Sequence, residues 1–204
     1  MLESSSIGVG AVVLAAGSSS RMGSPKQTLQ FEGESLLRRA ALAALGAGCR
    51  PVVVVTGAHA ELSRRELDGL DVRVVLNKLW ETGMASSVRV GVEGLDGAEA
   101  AVLMLCDQPH ATADVISRLV EAHRATGSPV VASAYGGGFG VPAVFGRALF
   151  AELTRLEGAA GAKQVIKRHA AEAHFVPFPG GEVDVDTPDD FSRLTAMEHE
   201  QEQS

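Results

Sequence analysis

The chain has 204 residues, of which 46% are hydrophobic and 21% charged, and its formal net charge is −7. This apolar fraction excludes a disordered chain, and the length suits one compact α/β domain. The acidic balance argues against a nucleic-acid partner, because phosphates need a basic face. No apolar run approaches the ~18–20 residues of a membrane span, and Met1–Ser6 shows no signal-peptide pattern. We therefore expect a cytoplasmic protein without a membrane partner.

Short apolar runs alternate with amphipathic helical segments along the chain. The predicted strands are Val9–Ala15, Pro51–Thr56, Val72–Leu76, Ala100–Cys106, Pro129–Ala134, Pro142–Phe145 and His174–Phe178. The predicted helices are Ser35–Leu45, Ala60–Leu67, Met84–Val92, Asp114–Ala125 and Arg147–Leu156. The early strands are continuous runs of Val, Leu and Ala, which is typical of a parallel sheet buried on both faces.

This alternation predicts an α/β fold with a doubly wound, mostly parallel sheet and helices on both faces. We expect a single domain over residues 1–204, with its core at about 7–195 and a short acidic tail, Met197–Ser204, that frays. Ligands of such folds bind beyond the carboxyl ends of the strands. The residues that follow each strand are therefore the candidates for chemistry.

The first predicted strand leads into a loop of small residues, AGSSSRMGSPK, over Ala16–Lys26. Backbone N–H groups of such a loop can approach an anion closely, and Arg21 and Lys26 add two positive charges suited to a triphosphate. The glycine spacing fits neither a Walker A loop nor a dinucleotide fingerprint. An ordinary solvated loop is the alternative interpretation.

Acidic residues follow the predicted strand Ala100–Cys106 and recur near the C-terminus. Asp107 ends that apolar run, where a carboxylate loses hydration unless it is paired, binds a metal or accepts backbone hydrogen bonds in the next turn. Asp184 and Asp186 alternate along DVDTPDD, and we expect only one of them to face the site. Thr187 then predicts a helix N-cap.

Three further features each allow two interpretations. Trp80 either contacts a ligand or packs a loop onto the core, and Lys163 either meets an acceptor phosphate or belongs to a solvated face. The glycines 136–138 predict a mobile stretch that acts as a hinge or permits a close substrate approach. Cys106 is expected to be a small core residue, so we reject covalent catalysis.

Six motifs occur in a fixed order along the chain. They are VLAAGSSSRMGSPK (13–26), NKLWETGMASSVRVG (77–91), MLCDQP (104–109), GVPAVF (140–145), GAKQVI (161–166) and DVDTPDD (184–190). Together they resemble the MobA-like nucleotidyltransferase family, and within it the molybdenum cofactor cytidylyltransferase branch, over about Val9 to Leu194. The resemblance implies a Rossmann-like nucleotidyltransferase fold. It also implies transfer of CMP from CTP to the phosphate of molybdopterin, with release of pyrophosphate.

The resemblance and the loop together give a set of candidate site residues. Arg21, Lys26 and Asp107 are the catalytic candidates. The resemblance implies Mg²⁺, with Mn²⁺ as an alternative, held by Asp107 and Asp186, and Asp184 is the fallback ligand. The nucleotide-binding candidates are Leu14, Ala15, Ala16, Gly17, Ser18, Arg21, Lys26, Thr56, Asn77 and Gly83.

Several functions remain open at this point. The donor could be GTP, the acceptor could be another phosphorylated compound such as a sugar phosphate, or the protein could be a molybdenum cofactor carrier without activity. Two metal-facing acids favour catalysis, since a carrier has no need of them. Residues 14–17 are LAAG, which resembles the cytidylyl members, whereas the guanylyl members resemble LAGG. A molybdoenzyme or its maturation factor is a further expected partner.

Overall fold

The computed structural model of the protein describes residues 8–202, with side chains described for residues 8–196. Met1–Ser6, on which the expectation about a signal peptide rests, lies outside the described residues. The side chains of the expected acidic tail from Met197 onward lie outside them as well. In the described part of the chain, no helix is both long enough and apolar enough to cross a membrane.

A seven-stranded sheet forms the centre of the protein. The strands are β1 Val9–Ala15, β2 Gln30–Phe31, β3 Glu34–Ser35, β4 Val52–Thr56, β5 Arg73–Leu76, β6 Ala100–Leu105, β7 Val130–Tyr135, β8 Gly138–Gly146 and β9 His174–Pro177. The large sheet has the order β5-β4-β1-β6-β8-β7-β9, while β2 and β3 pair as a separate hairpin. Among these described strands only β8 runs antiparallel to its neighbours in the large sheet.

Helices cover both faces of this sheet. They are α1 Leu36–Gly46, α2 Ala60–Glu66, α3 Met84–Glu93, α4 Ala113–Thr126, α5 Phe150–Thr154, α6 Ala162–Arg168 and α7 Pro188–Glu202. Residues of α1 and α4 pack against one face, and residues of α3, α5 and α6 pack against the other. Every residue of β1 and β4 is buried, which explains their unbroken apolar runs. The predicted doubly wound, mostly parallel α/β fold is confirmed.

The structure differs from the prediction near the β7–β8 connection and in two helices. Gly136 and Gly137 form a two-residue hairpin turn with φ of +55° and +71°, a conformation that glycine adopts without steric cost. A tight turn therefore connects two paired strands where the sequence predicts a mobile stretch. The predicted helix Arg147–Leu156 is a 3-10 turn followed by the short α5, and α7 continues to Glu202, into the tail that we expected to fray.

Helix α3 approaches the sheet closely at one glycine. A Cβ atom on Gly91 would lie 2.2 Å from Cγ1 of Val12 in β1 and 3.0 Å from Cγ2 of Val55 in β4. Both valines are fully buried in the middle of the sheet, so neither can move away. Because Gly91 has no side chain, α3 can pack this close to the sheet. The first turn of α3 lies beside the end of β1.

We expect Gly91→Ala to lower the free energy of unfolding by about 1–3 kcal/mol, because the added methyl overpacks a rigid core. Gly46→Ala at the end of α1 is the matched control, since its Cβ would meet only the Cβ of Ala113, at 3.0 Å. Urea denaturation of both variants measures the difference. Equal stabilities of the two variants would contradict the packing argument.

Candidate active site

The loop after β1 is folded around a buried glutamine. Gln27 has no solvent exposure, and its Nε2 donates to the carbonyl oxygens of Ala15 at 3.1 Å and Gly17 at 2.9 Å. Ser19 Oγ accepts from the backbone N–H of Lys26 at 3.1 Å and donates to Gln27 Oε1 at 3.3 Å. These bonds anchor the loop to Gln27, while Gly17, Ser18 and Arg21 stay exposed to solvent.

The same bonds orient the peptide groups of the loop. Gln27 binds the carbonyls of Ala15 and Gly17, and the N–H of Ala58 donates to the carbonyl of Ala16 at 3.1 Å. In a trans peptide the N–H points opposite to the C=O. The N–H groups that follow these carbonyls, from Ala16 to Ser18, therefore point away from the protein donors, as a loop that binds an anion requires.

Lys26 lies between two carboxylates from distant parts of the chain. Its Nζ forms a hydrogen-bonded ion pair with Oδ2 of Asp107 and lies 3.0 Å from Oδ1 of Asp186. Arg21 Nη2 approaches the other oxygen of Asp186, Oδ2, at 2.9 Å. Burial alone would lower the pKa of Lys26, but the charge and hydrogen bond of Asp107 raise it above its usual value. The ammonium therefore stays protonated.

Backbone hydrogen bonds place Asp186 beside Asp107. The N–H of Val185 donates to the carbonyl of Asp107 at 2.9 Å. Asp190 Oδ2 accepts from the N–H of Asp186 at 3.3 Å and from the N–H and hydroxyl of Thr187 at 2.8 and 2.7 Å, while Thr187 Oγ1 accepts from the N–H of Asp190. This reciprocal cap at the start of α7 fixes the chain just before the helix. The hydrogen bond from Thr187 also lowers the pKa of Asp190.

A small apolar cluster packs the glycine-rich loop against the segment before α7. Its buried members are Met22, Phe31, Leu36, Val185 and Leu194. They come from the glycine-rich loop, the β2–β3 hairpin, α1, the segment before α7 and α7 itself. The cluster thus holds the loop that carries Arg21 and Lys26 against the segment that carries Asp186.

Asp184 lies near this site as well, which corrects the expectation that only one carboxylate of the pair can face it. Residues two positions apart on an extended segment point to the same side, and Val185 is buried between the two acids. Asp184 is an exposed residue, yet partial loss of hydration and the negative charges of Asp107 and Asp186 raise its pKa to about 6. Asp184 lines a cavity next to that of Lys26.

A cavity of about 230 Å³ adjoins the Lys26 cluster. Its lining residues are Leu14, Ala15, Ala16, Gly17, Lys26, Gln27, Trp80, Gly83, Met84, Ser87, Leu105, Cys106 and Asp107. The structure thus brings most of the predicted nucleotide-binding residues to one place. Trp80 lines this cavity and also packs against the core, so both interpretations of that residue describe part of its environment.

Four predicted nucleotide-binding residues lie elsewhere. Thr56 is buried and its hydroxyl donates to the carbonyl of Val75 at 3.4 Å. Asn77 is buried too, and its Nδ2 donates to Oγ of Ser86 and Ser87, at 2.8 and 2.9 Å. Both side chains thus make internal hydrogen bonds in this structure, and their contact with the base stays a prediction. Ser18 and Arg21 are the other two residues outside the lining of this cavity. The carbonyl of Ser18 contacts Nε2 of His59 at 3.0 Å, and the exposed side chain of Arg21 forms an ion pair with Asp186.

Gly83 lines the cavity, but close packing is its clearest requirement. Its φ is +115°, and a Cβ there would lie 2.2 Å from the carbonyl oxygen of Gly158. Glycine is needed because another loop crosses at this point, whereas the sequence suggested the approach of a ligand. Gly57 has a similar packing requirement, because a Cβ atom there would lie only 2.9 Å from the Cβ of Ala16.

The carboxylates have the features of a site for a hard divalent cation. Asp107 Oδ1 is buried and has no hydrogen-bond partner in the described part of the protein, so it can accept one more ligand. Within the described residues, no three His, Cys, Asp or Glu side chains converge into a complete ligand set. Two carboxylates that need phosphate oxygens and water to complete the shell fit Mg²⁺ or Mn²⁺. Burial and the negative charge of Asp107 raise the pKa of Cys106 to about 12, so this thiol stays neutral.

The sequence interpretation missed Gln27 as a positioning residue. It follows Lys26 directly in a polar stretch, and neither periodicity nor charge distinguishes it from the exposed Gln30. Only the tertiary structure shows that Gln27 is enclosed and binds the loop.

We expect Gln27→Met to weaken nucleotide binding and to lower the free energy of unfolding by about 1–3 kcal/mol, because the carbonyls of Ala15 and Gly17 lose their donor. Gln30→Met is the control, since that exposed side chain bonds only the carbonyl of Thr28, at 3.2 Å. The chain has a single tryptophan, and because Trp80 lines the cavity its fluorescence can report CTP binding directly. If both variants bind CTP as the unmodified protein does, Gln27 has no role in the loop.

Two curated proteins are similar to this chain in sequence. Purine catabolism protein PucB of Bacillus subtilis is 31% identical over 198 residues, which cover 90% of this chain and 94% of that protein. Nicotine blue oxidoreductase of Paenarthrobacter nicotinovorans is 35% identical over 114 residues, 55% of this chain and 56% of that protein. The chain thus matches only about half the length of the latter.

Solved structures show the same fold, and a family assignment follows. Rv0371c from Mycobacterium tuberculosis H37Rv superposes with a TM-score of 0.78 at 34% identity, over 92% of this chain and 97% of that one. Rv0371c has also been solved in complex with manganese. Residues 11–173 match the family described as "MobA-like NTP transferase domain". The chain belongs to the MobA-like NTP transferase family.

Proposed function

We propose that the protein transfers CMP from CTP to the terminal phosphate of molybdopterin, with release of pyrophosphate, as a Mg²⁺-dependent cytidylyltransferase. The observation that carries the proposal is the placement of Lys26 against Asp107 and Asp186, at the mouth of a cavity formed by the glycine-rich loop. Positive charge, metal-type carboxylates and outward N–H groups meet there at the carboxyl ends of the central strands, where α/β folds bind nucleotides.

The residues of this site perform positioning and charge stabilisation. Arg21 and Lys26 balance the charge that develops on the departing pyrophosphate, and the N–H groups after Ala15 hold phosphate oxygens. Asp107 and Asp186 would hold Mg²⁺, which when bound supplies charge stabilisation on the phosphate oxygens. A phosphate acceptor is already ionised near neutral pH, so the reaction requires no general base.

The acceptor and the base are assigned from motifs. LAAG at 14–17, together with the order of the remaining motifs, supports CTP and molybdopterin, and a molybdoenzyme or its maturation factor would receive the product. The two thiols of the chain, Cys49 and Cys106, are buried and unpaired, which suits a reducing cytoplasm.

Two measurements separate the proposal from its alternatives. Pyrophosphate release from CTP with molybdopterin and Mg²⁺ distinguishes the enzyme from a cofactor carrier, which would bind the pterin without turnover. The covalent product identifies the acceptor, since transfer to a sugar phosphate would give a nucleotide sugar. Equal rates with labelled CTP and GTP would leave the nucleotidyltransferase assignment in place and contradict the cytidylyl assignment.

We expect CTP to be preferred over GTP, and Ala16→Gly to reduce that preference. The Cβ of Ala16 narrows a cavity of about 230 Å³, and a purine, which is larger by one ring, suffers more from such narrowing than a pyrimidine. The ratio of kcat/KM for the two nucleotides measures the effect. An unchanged ratio in Ala16→Gly would show that this methyl does not select the base.

We expect Asp107→Asn to lower the rate of pyrophosphate release by at least about 10²-fold, because the site loses a metal-type ligand and the main counter-charge of Lys26. Asp189→Asn, an exposed acid in the first turn of α7, is the control. Electron paramagnetic resonance of Mn²⁺ with CTP measures metal binding apart from turnover. Normal Mn²⁺ binding and activity in a folded Asp107→Asn variant would overturn the assignment.

A further inference from the structure

In the loop after β1, four consecutive carbonyl groups are bound by other parts of the protein. Gln27 and the N–H of Ala58 bind the carbonyls of residues 15–17. The next carbonyl, that of Ser18, lies 3.0 Å from Nε2 of His59. A carbonyl oxygen only accepts hydrogen bonds, so Nε2 of His59 carries the hydrogen of this bond. His59 therefore completes the series.

The segment between β4 and α2 holds His59 beside this loop. A Cβ on Gly57 would lie 2.5 Å from the carbonyl oxygen of Ala16, so the two segments are in close contact. His59 directly precedes α2, and its own carbonyl accepts from the N–H of Ser63 at 2.9 Å. Ser63 is buried, and α2 packs against the 3-10 turn at residues 26–28. The backbone that carries the imidazole is therefore packed on both sides.

Ser19 has an unusual backbone conformation directly after the carbonyl that His59 binds. Its φ is +54°, in the left-handed region that is unfavourable for a residue with a side chain. Its carbonyl accepts from the N–H groups of Met22 and Gly23 at 3.0 and 3.3 Å, and its Oγ accepts from the N–H of Lys26 at 3.1 Å. These bonds hold Ser19 from the C-terminal side, and His59 holds the peptide group that precedes it.

The N–H groups of the same peptides remain available to a ligand. Those of Gly17, Ser18 and Ser19 donate to no backbone acceptor among the described residues. In a trans peptide the N–H points opposite to the C=O, so the bond from His59 to the carbonyl of Ser18 directs the N–H of Ser19 away from the imidazole. Successive N–H groups in a turn that includes a left-handed residue form a concave site for anions.

The position of this peptide along the loop suits the phosphates of a nucleotide. Residues 14–17 line the cavity, whereas Ser18 lies outside its lining. Beyond Ser19 the loop leads to Arg21 and Lys26, the two cations of the site. The peptide between Ser18 and Ser19 thus lies between the cavity and the positive charges. The phosphates of a nucleotide whose base occupies the cavity would extend in that direction.

We propose that His59 is a positioning residue of the nucleotide site, which holds the peptide between Ser18 and Ser19 so that the N–H of Ser19 binds the phosphates of a nucleoside triphosphate. His59 acts through the loop and not by contact with the reacting atoms. This inference rests on the proposed function for the presence of a nucleotide, but it concerns phosphate binding and can be tested without turnover. None of the six sequence motifs includes His59.

The test is titration of the full chain with three ligands: CTP, inorganic tripolyphosphate, which has no base, and cytidine, which has no phosphate. Calorimetry measures the first two, and Trp80 fluorescence follows cytidine. We expect His59→Ala to weaken binding of CTP and tripolyphosphate by about tenfold, the effect of one hydrogen bond to a charged group. Cytidine should bind this variant as it binds the unmodified protein, because the base side of the loop keeps its bonds to Gln27 and Ala58.

Two further variants separate the hydrogen bond from a general effect of truncation. His59→Gln keeps an N–H donor at similar reach, so it should bind tripolyphosphate more tightly than His59→Ala does. His174→Ala is the matched control, since His174 is an exposed histidine at the start of β9, and it should bind all three ligands normally. Thermal melting of each variant shows whether the fold is kept. Equal weakening in His59→Gln and His59→Ala, or in His174→Ala and His59→Ala, would overturn the assignment.

The outcomes separate this inference from the proposed function. Unchanged tripolyphosphate binding in a folded His59→Ala variant, or equal losses of CTP and cytidine binding, overturns the inference, even if CTP still releases pyrophosphate with molybdopterin. Absence of tripolyphosphate binding in the unmodified protein overturns it as well. Tripolyphosphate binding that depends on His59, without pyrophosphate release from CTP, supports the inference and contradicts the proposed function.

Discussion

A mostly buried ammonium group needs negative charge within reach, and in this protein that need connects the two ends of the chain. The side chain of Lys26 is only 15% exposed, and its two partners lie 81 and 160 residues away in the sequence. Withdrawal of such a charge from water is costly unless it is paired, and loss of one partner leaves an uncompensated charge. The pairing of Lys26 therefore brings three parts of the chain together: the glycine-rich loop, the end of β6 and the segment before α7.

Neutral contacts support this meeting point and give it a defined shape. Gln27 fixes the loop from inside, and the cluster around Met22 and Val185 joins the loop to the C-terminal segment. The reciprocal cap between Thr187 and Asp190 fixes the backbone next to Asp186. Each contact restrains a different chain segment, so the carboxylates are held in place before any ligand binds. Such preorganisation is what charge stabilisation in catalysis requires.

The sequence predicts those parts of this arrangement that depend on local interactions along the chain. Continuous Val, Leu and Ala runs predict β1, β4 and β6, because strands buried on both faces need apolar side chains at every position. An acid directly after such a run, Asp107, is exceptional enough to mark the site. The antiparallel direction of β8 was not predicted, because direction depends on the connection between strands and the run 142–145 is equally apolar in either direction.

Other features depend on tertiary contacts that no local pattern encodes. Gln27 and Gln30 are the same residue type three positions apart, yet one is enclosed and the other exposed. The expectation that only one of Asp184 and Asp186 faces the site is wrong, because residues two positions apart on an extended segment share a side, and both acids lie near Asp107. Thr56 and Asn77 follow strands as nucleotide-binding residues often do, but their polar atoms bind other parts of the protein.

These internal bonds affect how the proposed enzyme would select a base. With Thr56 and Asn77 committed elsewhere, the loop backbone supplies most of the polar surface near Ala16, and its carbonyls are bound by Gln27 and Ala58. The N–H groups that remain recognise acceptor atoms, which all nucleobases possess, so hydrogen bonding from the loop alone discriminates weakly. The shape of the cavity must then distinguish a pyrimidine from a purine. We expect a methyl group at Ala16, which lines the cavity, to exclude a larger ring more effectively than it could favour a smaller one. If the protein is the proposed cytidylyltransferase, we therefore expect its selection against purines to follow from the backbone path of this loop.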